Sequence, residues 1–204
     1  MADVPVRIEL SAGLPKVGRR ELLQILLGTA GATLGVPVLA ADHPIRRHAA
    51  DASAIEQADR KASAANWKPE FLDRHQVDTL RSLAERIVPG SSRAKVTEFV
   101  DQLLPVSSAD DRRSFLSALG AFDGRALDRA NRTWKQLAEP DQIAILTDAS
   151  TLPTGAALRD HFDLLKGWIA GAYYSTEIGM KELGWTGNSF FQTYPGCEHP
   201  GGHS

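Results

Sequence analysis

From residue 71 onward, apolar side chains recur at steps of three and four, the spacing that gathers them on one face of a helix. In 71–88 the face is Val77, Leu80, Ala84 and Ile87, and Pro89-Gly90 stops the pattern. A second helix is expected over 95–104, with Val96, Phe99, Val100 and Leu103 inward and Pro105 ending it. Ser108 followed by Asp110 and Asp111 reads as a helix start, a capping hydroxyl and then acids at the positive end of the dipole. Phe115, Leu119 and Phe122 give that helix its apolar face. Glu139-Pro140-Asp141 opens another helix, which contains Ile143, Ile145 and Leu146. The longest stripe runs Leu158, Phe162, Leu165, Ile169, Ala172, Thr176, Met180, and predicts one helix over 155–183 closed by Gly184. No alternating strand pattern of useful length and no internal repeat is present. The expected fold class is all-α, an irregular helical bundle.

The first third of the chain departs from this pattern. Residues 1–20 are polar and end in Arg19-Arg20; an apolar but Gly-rich run follows over 22–41, with Val38-Leu39-Ala40 at the positions a signal peptidase reads. Gly18-Arg19-Arg20-Glu21-Leu22-Leu23 resembles a twin-arginine signal, with Gly18 and Leu22 departing from the usual residues. Residues 1–41 are therefore expected to be an export signal placing the protein in the periplasm. An uncleaved anchor is the alternative, disfavoured by Gln24, Pro37 and the glycines. Residues 42–66 are rich in Ala, Asp, Arg and His, with Ile45 and Ile55 the only large aliphatics. A flexible tether is expected there, and the ordered domain over 67–204.

Charge and cysteine content narrow the chemistry. A net charge of −2 without long like-charged runs disfavours nucleic acid as a partner. The one cysteine, Cys197, rules out an intrachain disulfide, a CxxCH haem site and a Cys-ligated cluster built from this chain alone. No GxGxxG or Walker loop occurs. Cys197, His199 and His203 form a weak metal pattern on a Gly/Pro-rich tail, so no metal site, no catalytic residue and no bound cofactor is expected in this chain.

Half of the aromatic residues fall from Trp168 onward. Within YYSTEIGMKELGWTGNSFFQTYPGCEHP, the residues Tyr174, Ser175, Glu177, Ile178, Gly179, Leu183, Gly184, Gly187, Asn188, Pro195-Gly196-Cys197 and His199-Pro200 resemble the C-terminal signature of the gluconate 2-dehydrogenase subunit 3 family. Upstream, Leu83-Ala84-Glu85-Arg86-Ile87-Val88-Pro89 and Glu98-Phe99-Val100-Asp101 are similar to the family's helix pair. The intervening Gly90-Ser91-Ser92-Arg93-Ala94-Lys95 departs from the acidic loop usual there.

The resemblance implies a non-catalytic small subunit that pairs with, helps fold and co-exports a large glucose–methanol–choline type subunit carrying FAD. A multihaem cytochrome carrying haem c is the further partner implied, with membrane association only through the complex. On that reading Tyr173, Tyr174, Glu177, Trp185, Asn188, Phe190, Phe191 and Cys197 are the candidate partner contacts, and Arg19 and Arg20 the export signal. Each has a plainer reading. Glu177 and Lys181 form a surface i,i+4 pair, the tyrosines and Trp185 serve as core, and Cys197 is a packed or free thiol rather than an intersubunit disulfide. His75 and His161 read as ordinary helix histidines. The rivals to an accessory subunit are a stand-alone exported enzyme using His161, Glu177 or the Cys197/His199 tail, and a periplasmic binding module.

Overall fold

The computed structural model describes residues 51–184. These form seven α-helices and two single-turn 3-10 segments, with no strand among the described residues. The helices are α1 (Ala52–Ser63), α2 (Arg74–Ile87), α3 (Val96–Leu103), α4 (Ala109–Ala130), α5 (Glu139–Thr151), α6 (Ala157–Tyr174) and α7 (Glu177–Glu182). The all-α expectation holds. None of these helices is long and apolar enough to cross a membrane.

Local chemistry explains most boundaries. Asp73 and Gln76 form a reciprocal capping box at the start of α2, each side chain bonding the other's backbone N–H at 2.8 and 2.9 Å. The helix stops before Pro89, and Gly90 turns the chain at φ +91°, a conformation open to glycine. Ser108 caps α4 as expected, accepting the Asp111 N–H at 3.0 Å. Pro140 occupies the first turn of α5.

Two expectations fail, each for a physical reason. The stretch read as a flexible tether carries α1 over most of its described part. Asp51 caps it, accepting the N–H groups of Ser53 and Ala54, and Ile55, Ala58 and Ala62 are buried on α3. Counting large aliphatics undervalued an alanine face, which packs closely and uses the best helix former. The single helix expected over 155–183 is two. α6 ends at Tyr174, and Thr176 turns the chain into α7. Here adjacent hydroxyls compete with the helix ladder: Ser175 Oγ donates to the Ala172 carbonyl at 2.8 Å, and Thr176 Oγ1 donates to that of Tyr173 at 2.6 Å. Thr176 Oγ1 then accepts the Gly179 N–H at 3.1 Å, capping α7. Gly179 makes the fold-back feasible, since a Cβ there would lie 2.5 Å from the Tyr173 carbonyl oxygen. The apolar stripe continues through this break because the break occurs between a buried Ala172 and a buried Met180.

One core joins the helices. Leu80, Leu83, Phe99, Leu103, Phe115, Phe122, Trp134, Trp168, Ile169 and Tyr173 are fully buried. Edge-to-face ring pairs tie α4 to α6 through Phe115 and Trp168 (5.5 Å), and to the following 3-10 turn through Phe122 and Trp134 (5.6 Å).

Beneath this core lies a buried acid that periodicity could not flag. The Asp101 carboxylate on α3 is wholly excluded from solvent and accepts the backbone N–H groups of Glu70 (2.8 Å), Phe71 (3.1 Å) and Leu72 (2.8 Å). Gln102 Nε2 adds a fourth donor at 3.1 Å. Four donors offset the desolvation of a buried carboxylate. They also fix the strap between α1 and α2 against α3. Asp101→Ala should lower the unfolding free energy by about 3 kcal/mol, because it strands a buried donor at Leu72 and two part-buried ones. Denaturant unfolding checks this, with Asp110→Ala, at an exposed position, expected to be near neutral.

Candidate functional site

The two blocks that carry the family resemblance are brought together in space. At the end of α2, Glu85 reaches over the following loop, accepting the Gly90 N–H at 2.8 Å and the Ser92 N–H at 2.9 Å. Partial burial opposes ionisation of Glu85, but the donors of Gly90 and Ser92 outweigh it, so its carboxyl lies below the ordinary glutamate value. The loop so formed presents Gly90 to α6, where a Cβ would meet the Tyr173 hydroxyl at 3.3 Å. Tyr173 is fully buried, and its hydroxyl donates to Glu182 Oε1 at 2.8 Å. Burial, and after it the Glu182 acceptor, push the phenol up to about 12, partly opposed by the Arg93 guanidinium. Glu85, the 89–95 loop, Tyr173 and Glu182 therefore form one latch. It holds α7 against the α2–α3 loop and sets where the chain leaves at Gly184, which has φ +81°.

The candidate contacts divide accordingly. Tyr173 is a core residue and offers no surface to a partner in this structure. Tyr174 is half-buried and stacks edge-to-face on Tyr173 with ring centres 5.2 Å apart. Glu177 is not mid-helix but the first residue of α7; it is exposed and pairs with Lys181 at 2.7 Å, the plain i,i+4 reading. Arg19, Arg20, Trp185, Asn188, Phe190, Phe191 and Cys197 lie outside the described residues, as do the tail histidines. Of the candidates, Tyr173 and Tyr174 are brought into contact.

The histidines sit apart from one another's chemistry. His75 Nε2 lies 2.7 Å from Asp123, which also accepts the Thr79 hydroxyl (3.3 Å) and the Trp134 N–H (2.9 Å). His161 is half-buried beside Asp160 and Arg113 in a shallow depression of about 330 Å³. Among the described residues, no group of three or more His, Cys, Asp or Glu side chains is placed to hold a metal. Glu85 and Asp101 stand in the stretches that carry the family resemblance, but sequence reasoning gave no role to either of them or to Glu182. Each works through contacts to backbone or to a residue distant in sequence, so spacing along one helix carries no sign of them.

The fold and this latch define a small helical domain in which α7 is held beside the α2–α3 loop. The family description for gluconate 2-dehydrogenase subunit 3 matches residues 74–196, which span α2 through α7 and run on beyond them. The chain belongs to the gluconate 2-dehydrogenase subunit 3 family, whose description makes its members subunits of a gluconate dehydrogenase complex. No curated protein and no solved structure matches it.

The latch gives a titration prediction. The folded Tyr173 value lies above the ordinary tyrosine value of 10, so its contribution to stability is fully present below pH 10 and is lost as pH rises towards 12. Wild type should lose more stability than Tyr173→Phe across that interval in parallel denaturation series. Equal slopes for the two proteins would remove the latch from the account.

Proposed function

We propose that the chain is the non-catalytic small subunit of an exported, FAD-dependent sugar or polyol dehydrogenase complex. It binds the large flavoprotein subunit, supports its folding and carries it across the membrane. The observation that carries this reading is the family match over 74–196, which takes in both the helical body and the aromatic C-terminal segment. In this reading FAD belongs to the partner, a glucose–methanol–choline type oxidoreductase, and haem c to a cytochrome subunit that takes the electrons on. Trp185, Asn188, Phe190, Phe191 and Cys197 supply the main contacts, and Tyr174 and Glu177 add to them from α6 and α7.

Two features support it. Aromatic side chains clustered in a short segment suit the buried centre of an interface. The Arg19-Arg20 pair ahead of a weakly apolar stretch suits twin-arginine export, which transports folded proteins and so lets one signal serve two chains. The complex acts in the periplasm on this account.

The test is made in the native host by replacing Arg19 and Arg20 with lysine. Dye-linked sugar-oxidising activity in the periplasmic fraction should fall at least about tenfold, with the flavoprotein retained or degraded in the cytoplasm. Undiminished periplasmic activity would contradict the co-export role.

A further inference from the structure

An open groove of about 310 Å³ runs between the end of α2, the face of α5 and the first half of α6. Its floor is apolar, made by Ile87, Leu146 and Phe162. Ile143 also lines the groove and is 47 % exposed, lying off the buried face of α5 that Gln142, Ile145, Leu146 and Ala149 form. The charged side chains that line the groove are Arg86 and Lys166, both cationic. Arg86 is partly neutralised by Glu139 at 3.0 Å, outside the lining, and is also held by Gln142. Lys166 has no carboxylate partner among the described residues; its ammonium lies 5.9 Å from the centre of the Phe162 ring. The hydroxyl of Ser150 is turned to the Thr147 carbonyl at 2.9 Å and is not offered to the groove.

We propose that this groove seats a segment of another polypeptide, one that places a single large apolar side chain on Ile87, Leu146 and Phe162 and a carboxylate within one turn of it against Lys166. The inference extends the reading of the chain as a subunit and rests on that reading in needing a partner. Three observations select this occupant. The volume is at the low end for a small-molecule site, and the groove lacks the converging polar groups that orient such a ligand. It matches an apolar anchor set into a pocket and rimmed by charge. The rim carries one sign only, so an acid-flanked segment is favoured. A second copy docked symmetrically would set Lys166 near its own equivalent and be repelled.

The test places the photo-cross-linking residue p-benzoylphenylalanine at position 143 of the full chain, expressed in its own host. After irradiation, the joined peptide is sequenced. The expected product comes from a different polypeptide and holds a large apolar residue within four positions of an Asp or Glu. Lys166→Glu should reduce the yield about tenfold, and Lys166→Arg should preserve it, with helical circular dichroism unchanged in both. Ile143→Asp, on the otherwise unmodified chain, should weaken retention of the same polypeptide. A link to residues 185–204 of this chain or to a second copy overturns the proposal. So does a yield no higher than with the probe at Glu56, or one indifferent to Lys166→Glu. If a large flavoprotein co-purifies in full while position 143 links to nothing, the groove fails and the subunit reading stands. A flavin-free protein linked at the groove, with no flavoprotein recovered, gives the reverse.

Discussion

Asp101 is the fixed point of the described fold. Its carboxylate takes the N–H groups of three successive residues, Glu70 to Leu72, in the strap that joins α1 to α2. A strap of irregular backbone cannot satisfy its own donors when buried, and an acid reaching from a neighbouring helix resolves that conflict. With the strap held, α1 lies on α3, Leu72 enters the core, and α2 begins at its Asp73 cap with the register that sends Leu80 and Leu83 inward. The Lys61–Glu70 pair at 2.7 Å and the Lys95 Nζ bond to the Ser63 carbonyl at 3.2 Å lie around the same seam, but both are exposed and contribute little by comparison.

A second backbone constraint governs the C-terminal end. Gly179 lets α7 fold back onto the Tyr173 carbonyl, and the Tyr173–Glu182 bond closes the fold-back against the Gly90 loop. Glu85 shapes that loop from the other side. The 89–95 loop and the 173–184 segment, far apart in sequence, thus meet around the Tyr173 phenol, and the family match covers both. The latch therefore fixes α7 and the position of Gly184 at the end of the described chain.

Much of this was legible from spacing alone. α2 and α3 begin and end, and α4 and α5 begin, within a few residues of where spacing and the Ser, Pro and Gly signals put them, because caps and breakers act locally. What escaped left no mark on the apolar spacing. α1 was hidden because its buried face is mostly alanine. The α6–α7 break was hidden because the stripe stays in phase across Ser175-Thr176. Tyr173 looked like an interface anchor because aromatic clustering does not separate core from surface; its burial and its Glu182 partner do. The family was legible from the C-terminal residues themselves, most of which lie beyond the described helices.

The central claim is that this chain works as the small subunit of a flavoprotein complex. Affinity purification of the tagged chain from its own host, followed by an absorbance spectrum and mass spectrometry, tests it most directly. The account predicts a flavin spectrum and a near-stoichiometric large FAD oxidoreductase in the eluate. A colourless chain recovered alone under gentle conditions would contradict it.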